Sequence, residues 1–181
     1  MDTMTEPRTA GLSRIPTLGA GLGYRRELTD AILAMPDAVD FLEIVTEQFM
    51  FDVSTLGELE ELCDQFVVIP HGIGLSLGSP SLDPAYLRAI QQISDITGSP
   101  YYSEHLAVTR APGLDIGHLS PLWFTPAVER NTIDNILRVQ DVLRKPLVVE
   151  NITYPFDIPF ASMRQTEFLS RLVEATGCGL L

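Results

Sequence analysis

PLVVENITYP, Pro146 to Pro155, is the stretch that decides the fold. Its apolar, β-branched run Leu147-Val148-Val149 reads as a short buried strand, and the strand delivers Glu150 and Asn151 at its end. A carboxylate at the end of an apolar strand is costly unless a cation or donor compensates its desolvation. The same design occurs twice upstream. Val67-Val68-Ile69-Pro70 leads into His71-Gly72, and Tyr101-Tyr102-Ser103 leads into Glu104-His105. Strands that each present a ligand-type side chain at the carboxyl end describe an α/β sheet or barrel with its site on that rim.

Working outward, strands and helices alternate along the chain. Gly19–Arg25 is expected to form a Gly-rich first strand, followed by a helix over Arg26–Met35 that stops at Pro36. Asp40–Glu47 is the second strand, followed by a loop through Phe49 and Phe51, then a helix capped by Ser54 or Thr55 that runs through Cys63. Phe66–Gly78 holds the third strand and a Gly-rich turn. Asp83 caps a helix in which Tyr86, Leu87, Ile90 and Ile93 have helical spacing. Pro100–Val108 is the fourth strand. A long loop containing Pro112, Gly113 and Gly117 then leads to Thr125-Pro126, a cap with proline at the first helical position. The helix from there to Leu143 carries Val128, Thr132, Ile136 and Val139 on one stripe. Pro146–Ile152 is the fifth strand, a helix covers Thr166–Thr176 up to Gly177, and a sixth strand begins at Cys178.

Five βα units and the start of a sixth strand imply a parallel sheet with crossover helices. A doubly wound sheet would show a reversal of strand order, and none is evident, so a TIM-type (β/α) barrel is expected. Such barrels typically take about 250 residues. Residues 18–181 are therefore expected to be the N-terminal two-thirds of a single barrel domain, preceded by a flexible arm over 1–17. An open sheet needs cover, which further chain, a swapped segment or a homo-oligomer would provide.

Composition excludes several classes. The 181 residues are 45% hydrophobic and 20% charged, with a net charge of −12. Nucleic-acid binders need clustered Lys and Arg, so no nucleic-acid partner is expected. No apolar run approaches the roughly 18 to 20 residues of a membrane span, and the N-terminus lacks a secretory h-region. Cys63 and Cys178 form no CxxC pair, which fits a reducing, cytoplasmic location. Both are expected to be small buried hydrophobes. Gly19-Ala20-Gly21-Leu22-Gly23 lacks the dinucleotide fingerprint and there is no Walker GK[ST], so no phosphate loop is assigned. Ser76 and Ser79 lack a nucleophile elbow.

The chemistry-bearing residues are His71, His105 and Glu150, expected to converge on a metal ion. Two have a plainer alternative: a turn histidine satisfied by hydrogen bonds at His71, and a buried arginine partner for Glu150. Glu104 and His105 are adjacent and face opposite sides of a strand. His105 shares its face with Ser103 and Tyr101, and Glu104 lies on the helical side unless a bulge turns it inward. Glu104 is assigned as the catalytic acid, acting from outside the ligand set, with a structural salt bridge as its alternative. Glu43 and Glu47 share a face of the second strand by parity, as further outer acids. Asn151 orients a ligand or closes a turn, and His118 is expected to be exposed.

The ordered set HGIGLSLGS (His71–Ser79), SEHLA (Ser103–Ala107), SPLWFT (Ser120–Thr125), LVVEN (Leu147–Asn151) and TGCGLL (Thr176–Leu181) resembles the multinuclear non-haem iron-dependent oxidative enzymes. That family includes the methanobactin-biosynthesis oxidase and was formerly known as a domain of unknown function. The resemblance runs from about Gly19 to the last residue. It implies a xylose-isomerase-like barrel with two or three irons at its C-terminal face, manganese or zinc being alternatives by ligand type. It also implies oxidation of cysteines in ribosomally made precursor peptides, and a small partner protein that grips the peptide leader. On this resemblance His71 and His105 match iron-binding histidines and Glu150 a bridging carboxylate. The family continues beyond TGCGLL with further His, Asp and Glu ligands, and its segment after the Glu-Asn pair differs from ITYPFDIPF. This chain is therefore expected to be an incomplete form with little oxidative activity of its own. Rival expectations are a divalent-metal sugar isomerase, an endonuclease disfavoured by the acidic charge, or a non-catalytic binding module.

Overall fold

The computed structural model describes residues 11–13, 15–111 and 113–181. Residues 1–10 and 14 of the expected arm, and Pro112 of the expected loop, lie outside them.

Six parallel strands stand side by side in chain order: β1 (Gly21–Gly23), β2 (Phe41–Val45), β3 (Val67–Gly72), β4 (Tyr102–Leu106), β7 (Leu147–Asn151) and β8 (Gly179–Leu180). Between β4 and β7 the chain adds a separate antiparallel hairpin, β5 (Val108–Ala111) with β6 (Leu114–Ser120). The helices are α1 (Thr29–Leu33), α2 (Glu47–Met50), α3 (Ser54–Gln65), α4 (Pro84–Thr97), α5 (Pro126–Leu143) and α6 (Gln165–Thr176). Strand order never reverses, so the sheet is the wall of a barrel and not a doubly wound sheet.

Strand parity divides the sheet into two faces. Leu42, Ile44 and Val68 pack with Leu59 and Leu62 of α3 in one buried cluster. Tyr102, Leu106, Leu147 and Val149 pack with Leu87 and Ile90 of α4, Ile136 and Val139 of α5, and Phe168 and Leu172 of α6 in a second. At about 1.5–3 kcal/mol for each fully buried large apolar side chain, these two clusters dominate the drive to fold. The opposite parity, including Glu43, His71, Ser103, His105 and Glu150, belongs to the inner face.

Gly21 of β1 serves packing. A Cβ on Gly21 would stand 2.2 Å from the Phe41 ring. The helix ends follow local chemistry. The Asp83 carboxylate accepts the N–H groups of Ala85 and Tyr86, and the Thr125 hydroxyl accepts that of Val128, each ahead of a proline at the first helical position. α6 ends at Gly177 with φ +68°.

Four expectations need correction. The helix after β1 is shorter than expected, a 3-10 turn over Arg26–Leu28 running into α1. Neither Ser54 nor Thr55 caps α3: the Asp52 carboxylate takes the Ser54 N–H and its main-chain carbonyl takes that of Thr55. The segment around Gly113 and Gly117 is a hairpin rather than a loop, because the short β-forming run Val108-Thr109-Arg110 finds a partner the turn residues concealed. Finally, β2 ends at Val45 and Glu47 opens α2, so Glu43 and Glu47 do not share a strand face.

Candidate metal centre

His71 ends the apolar run of β3 and projects from the inner face, 7% exposed. In the parallel register it pairs with Ser103, and one step further along the strands His105 pairs with Glu150. The His71 Nδ1 lies 2.9 Å from Ser103 Oγ, whose own hydroxyl reaches the Pro70 carbonyl at 3.5 Å. The hydroxyl is both donor and acceptor, so this contact ties the ring to β4 through Nδ1 in either tautomer. His105 Nδ1 lies 3.1 Å from the Gly72 carbonyl, which only accepts, so His105 carries its proton on Nδ1. With Nδ1 of each ring engaged, the two Nε2 atoms are the nitrogens turned toward the rim. They face one carboxylate oxygen: Glu150 Oε2 is 3.3 Å from His71 Nε2 and 3.8 Å from His105 Nε2. The two rings meet edge-on with centroids 4.6 Å apart.

One ligand atom from each of the three residues lies within 4.8 Å of the others. Donors about 2.1 Å from a tetrahedral ion stand roughly 3.4 Å from one another, so small side-chain movements close this triangle on a metal. The donor chemistry fits a divalent first-row ion: two neutral imidazoles and one carboxylate. Burial, and then the neighbouring His105, push the His71 imidazole below the usual histidine range, which favours the neutral, ligating form. Glu150 has no arginine partner among the described residues. Its side chain is 39% exposed, so it is less desolvated than a strand-end carboxylate was expected to be.

Glu104 faces the helical side and is fully buried. Its Oε2 accepts the Tyr102 hydroxyl at 3.0 Å and its Oε1 accepts the His105 N–H at 3.2 Å. It forms no salt bridge among the described residues. Burial, then the charge of Glu47, hold its carboxyl well above the usual carboxylate range. Gly72 makes this arrangement sterically feasible: a Cβ there would lie 1.9 Å from the Tyr102 hydroxyl and 2.2 Å from Glu104 Oε2.

Glu47 Oε1 accepts the N–H groups of Ile73 and Gly74, each at 2.8 Å, and the Tyr86 hydroxyl at 2.6 Å. Its Oε2 is buried without a hydrogen-bond partner among the described residues. Asn151 is exposed at the end of β7, and His118 is exposed on the hairpin. Cys63 and Cys178 are both free, Cys178 fully buried and Cys63 half-buried. The roles of Ser103 Oγ and the Gly72 carbonyl in setting the imidazoles were not read from sequence. Parity alone places Ser103 beside His71's strand, but only the register puts them opposite one another. No helix among the described residues is long and apolar enough to cross a membrane.

The family model described as "RiPP precursor modification enzyme MbnB/TglH/ChrH" matches residues 19–181; RiPP denotes a ribosomally synthesised and post-translationally modified peptide. The chain is similar to a UPF0276 protein of Shewanella oneidensis, 35% identical over 168 residues that cover 89% of this chain and 58% of the relative. It is also similar to a UPF0276 protein of Shewanella amazonensis, 33% identical over 165 residues covering 90% and 59%. The chain thus spans under two-thirds of the length of these relatives. Among solved structures, a D-allulose 3-epimerase from Methylomonas sp. superposes with a TM-score of 0.54 at 14% identity, covering 91% of this chain and 61% of that one. That likeness concerns the fold alone, and it agrees with the expected TIM-type (β/α) barrel.

Proposed function

This chain belongs to the MbnB/TglH/ChrH family of RiPP precursor modification enzymes, and from that premise we propose that His71, His105 and Glu150 hold iron for the oxidative modification of cysteine residues in a precursor peptide. The observation that carries the reading is the convergence of two imidazole Nε2 atoms on one carboxylate oxygen at the rim of the sheet. Imidazole and carboxylate suit iron, with manganese or zinc as competitors for the same donors. Iron, when bound, supplies the redox chemistry that dioxygen-dependent cysteine oxidation needs.

The chain's own residues supply the rest. Ser103 and the Gly72 carbonyl hold the two imidazoles through Nδ1, with their Nε2 atoms turned toward Glu150. Glu150, partly exposed, can bridge to a second ion and lies where a peptide has access. Glu104, fully buried on the helical side, accepts the His105 N–H and so holds the ligand-bearing strand from outside the ligand set. The peptide is the substrate, and a small leader-binding protein is the partner this reading calls for. A reducing cytoplasm suits both ferrous iron and a substrate thiol.

The test is anaerobic titration of the 181-residue chain with Fe(II); iron-dependent dioxygen uptake with a cysteine-containing peptide would overturn the expectation that this chain has little oxidative activity of its own. Binding of at least one iron, lost on replacing Glu150 with Ala, supports the reading. Iron content that is sub-stoichiometric and indifferent to that replacement sinks it. Sugar turnover with magnesium or manganese and no need of oxygen would favour the isomerase alternative, whose support is the barrel fold.

A further inference from the structure

The loop leaving β3 is held by a carboxylate that the metal site does not use as a ligand. The Gly72–Ile73 peptide has its two polar ends engaged on different sides. Its carbonyl faces His105 Nδ1 at 3.1 Å, and its N–H donates to Glu47 Oε1 at 2.8 Å. A trans peptide is a rigid plane, so fixing the N–H end fixes the direction of the carbonyl. The same Glu47 oxygen also takes the Gly74 N–H and the Tyr86 hydroxyl, and these anchor the carboxylate to both the loop and α4. Tyr86 is buried, 4% exposed, and Arg110 stacks over its ring at 4.4 Å.

We infer that Glu47 is a positioning residue for the metal centre, acting through the Gly72–Ile73 peptide to hold His105 with its proton on Nδ1 and its Nε2 directed at Glu150. The inference deepens the metal-centre reading and rests on it for its consequence, though the orientation of His105 is a property of the metal-free chain. The hydrogen-bond partners of Glu47 are Ile73, Gly74 and Tyr86, none of them a ligand. Its influence passes along one peptide plane: carboxylate, N–H, carbonyl, imidazole. Without the carboxylate, that plane is free to rotate, and the carbonyl turns away from the ring. His105 then populates both tautomers, half of which present an N–H where a metal needs a lone pair.

The test uses the full chain with Glu47→Ala, Glu47→Gln and Glu47→Asp. Long-range 1H–15N NMR of the metal-free protein reads the His105 tautomer, and titration with Co(II) alone reads affinity and the visible ligand-field spectrum. The wild type is expected to show the Nδ1–H form. Glu47→Ala is expected to mix the tautomers and to weaken Co(II) binding roughly 10- to 100-fold, the usual loss for an outer partner of a metal-bound histidine. Glu47→Gln keeps an acceptor oxygen for the loop and should restore both readouts to within a few-fold of wild type. A merely structural role would lower the melting temperature without selecting a tautomer. A folded Glu47→Ala protein with the wild-type tautomer and Co(II) affinity overturns the inference. If Glu47→Ala does not fold, Glu47→Asp, with its carboxylate withdrawn by one methylene, makes the same test with the same overturning result. Failure of the wild type to bind Co(II) would refute the metal-centre reading separately, and the tautomer measurement would then decide the role of Glu47 alone.

Discussion

His71 Nε2 and Glu150 Oε2 stand 3.3 Å apart although their strands, β3 and β7, are not neighbours. β4 lies between them, so the two backbones are separated by two strand spacings of about 4.8 Å each. Their side chains meet over β4 at the level of Ser103 and His105. Such a bridge places a carboxylate within reach of both imidazoles at once.

Replacing Glu150 with Ala removes the one anionic donor of the cluster. Divalent-ion affinity is expected to fall by at least about 100-fold, since loss of even an outer partner typically costs 10- to 100-fold. Co(II) titration followed by absorption checks this. An affinity within a factor of three of wild type would show that the ion binds elsewhere.

Gly72→Ala is expected to destabilise the metal-free protein by about 1–3 kcal/mol, the usual range for overpacking. The new Cβ would meet the Tyr102 hydroxyl at 1.9 Å and Glu104 Oε2 at 2.2 Å, both held by a hydrogen bond to each other. Urea denaturation gives the measurement. An unchanged midpoint would mean that the buried hydroxyl and carboxylate yield freely.

Asn135 in α5 donates from Nδ2 to the Leu77 and Ser79 carbonyls at 2.9 and 2.8 Å, tying the segment after the β3 loop to the helical layer. Asn131 donates to the same Ser79 carbonyl. Asn135→Ala should cost about 2–4 kcal/mol, from two lost hydrogen bonds and a buried carbonyl left short of a donor. Asn131→Ala, at a more accessible position, should cost less. Equal losses in chemical denaturation would argue against Asn135 as the main tie.

Burial, reinforced by Asp64 and Glu60, pushes the Cys63 thiol up to about 11. Thiolate is the reactive form, so alkylation of Cys63 at pH 8 should run roughly 100-fold slower than that of a free thiol of pKa near 9. The rate should climb with pH until about 11. Folding linkage has the same origin. The folded-state value lies above the unfolded one, so the stabilising contribution is complete below about pH 9 and disappears as pH rises through about 11. Iodoacetamide labelling with peptide mapping separates Cys63 from Cys178. A Cys63 rate already at its plateau by pH 9 would contradict the burial effect.

Much of the architecture was legible because it is periodic. The β-branched runs ahead of His71 and Glu150, the aromatic pair ahead of Glu104, the helical stripe of α5, and the Asp83 and Thr125 caps are short-range signals, and each element formed where its signal stood. Strand parity also placed His105 and Glu104 on opposite faces, which the burial of Glu104 against Tyr102 agrees with. The hairpin escaped because two short strands interrupted by Gly113 and Gly117 carry little local signal, and the pairing itself supplies the stability. Glu47 was placed on the wrong face for a related reason: alternation along β2 predicts its direction only while the strand continues, and the backbone enters α2 at Glu47.

The linear chain determined by itself which residues have donor chemistry, His71, His105 and Glu150, and that each would stand at the carboxyl end of its strand, because apolar periodicity is a local property. Tertiary structure alone decided that the three meet, which nitrogen of each ring faces Glu150, and that a glutamate from a helix start secures the loop between them. Those outcomes depend on the register between strands and on hydrogen bonds linking residues 26 to 33 positions apart, separations over which no local pattern carries information.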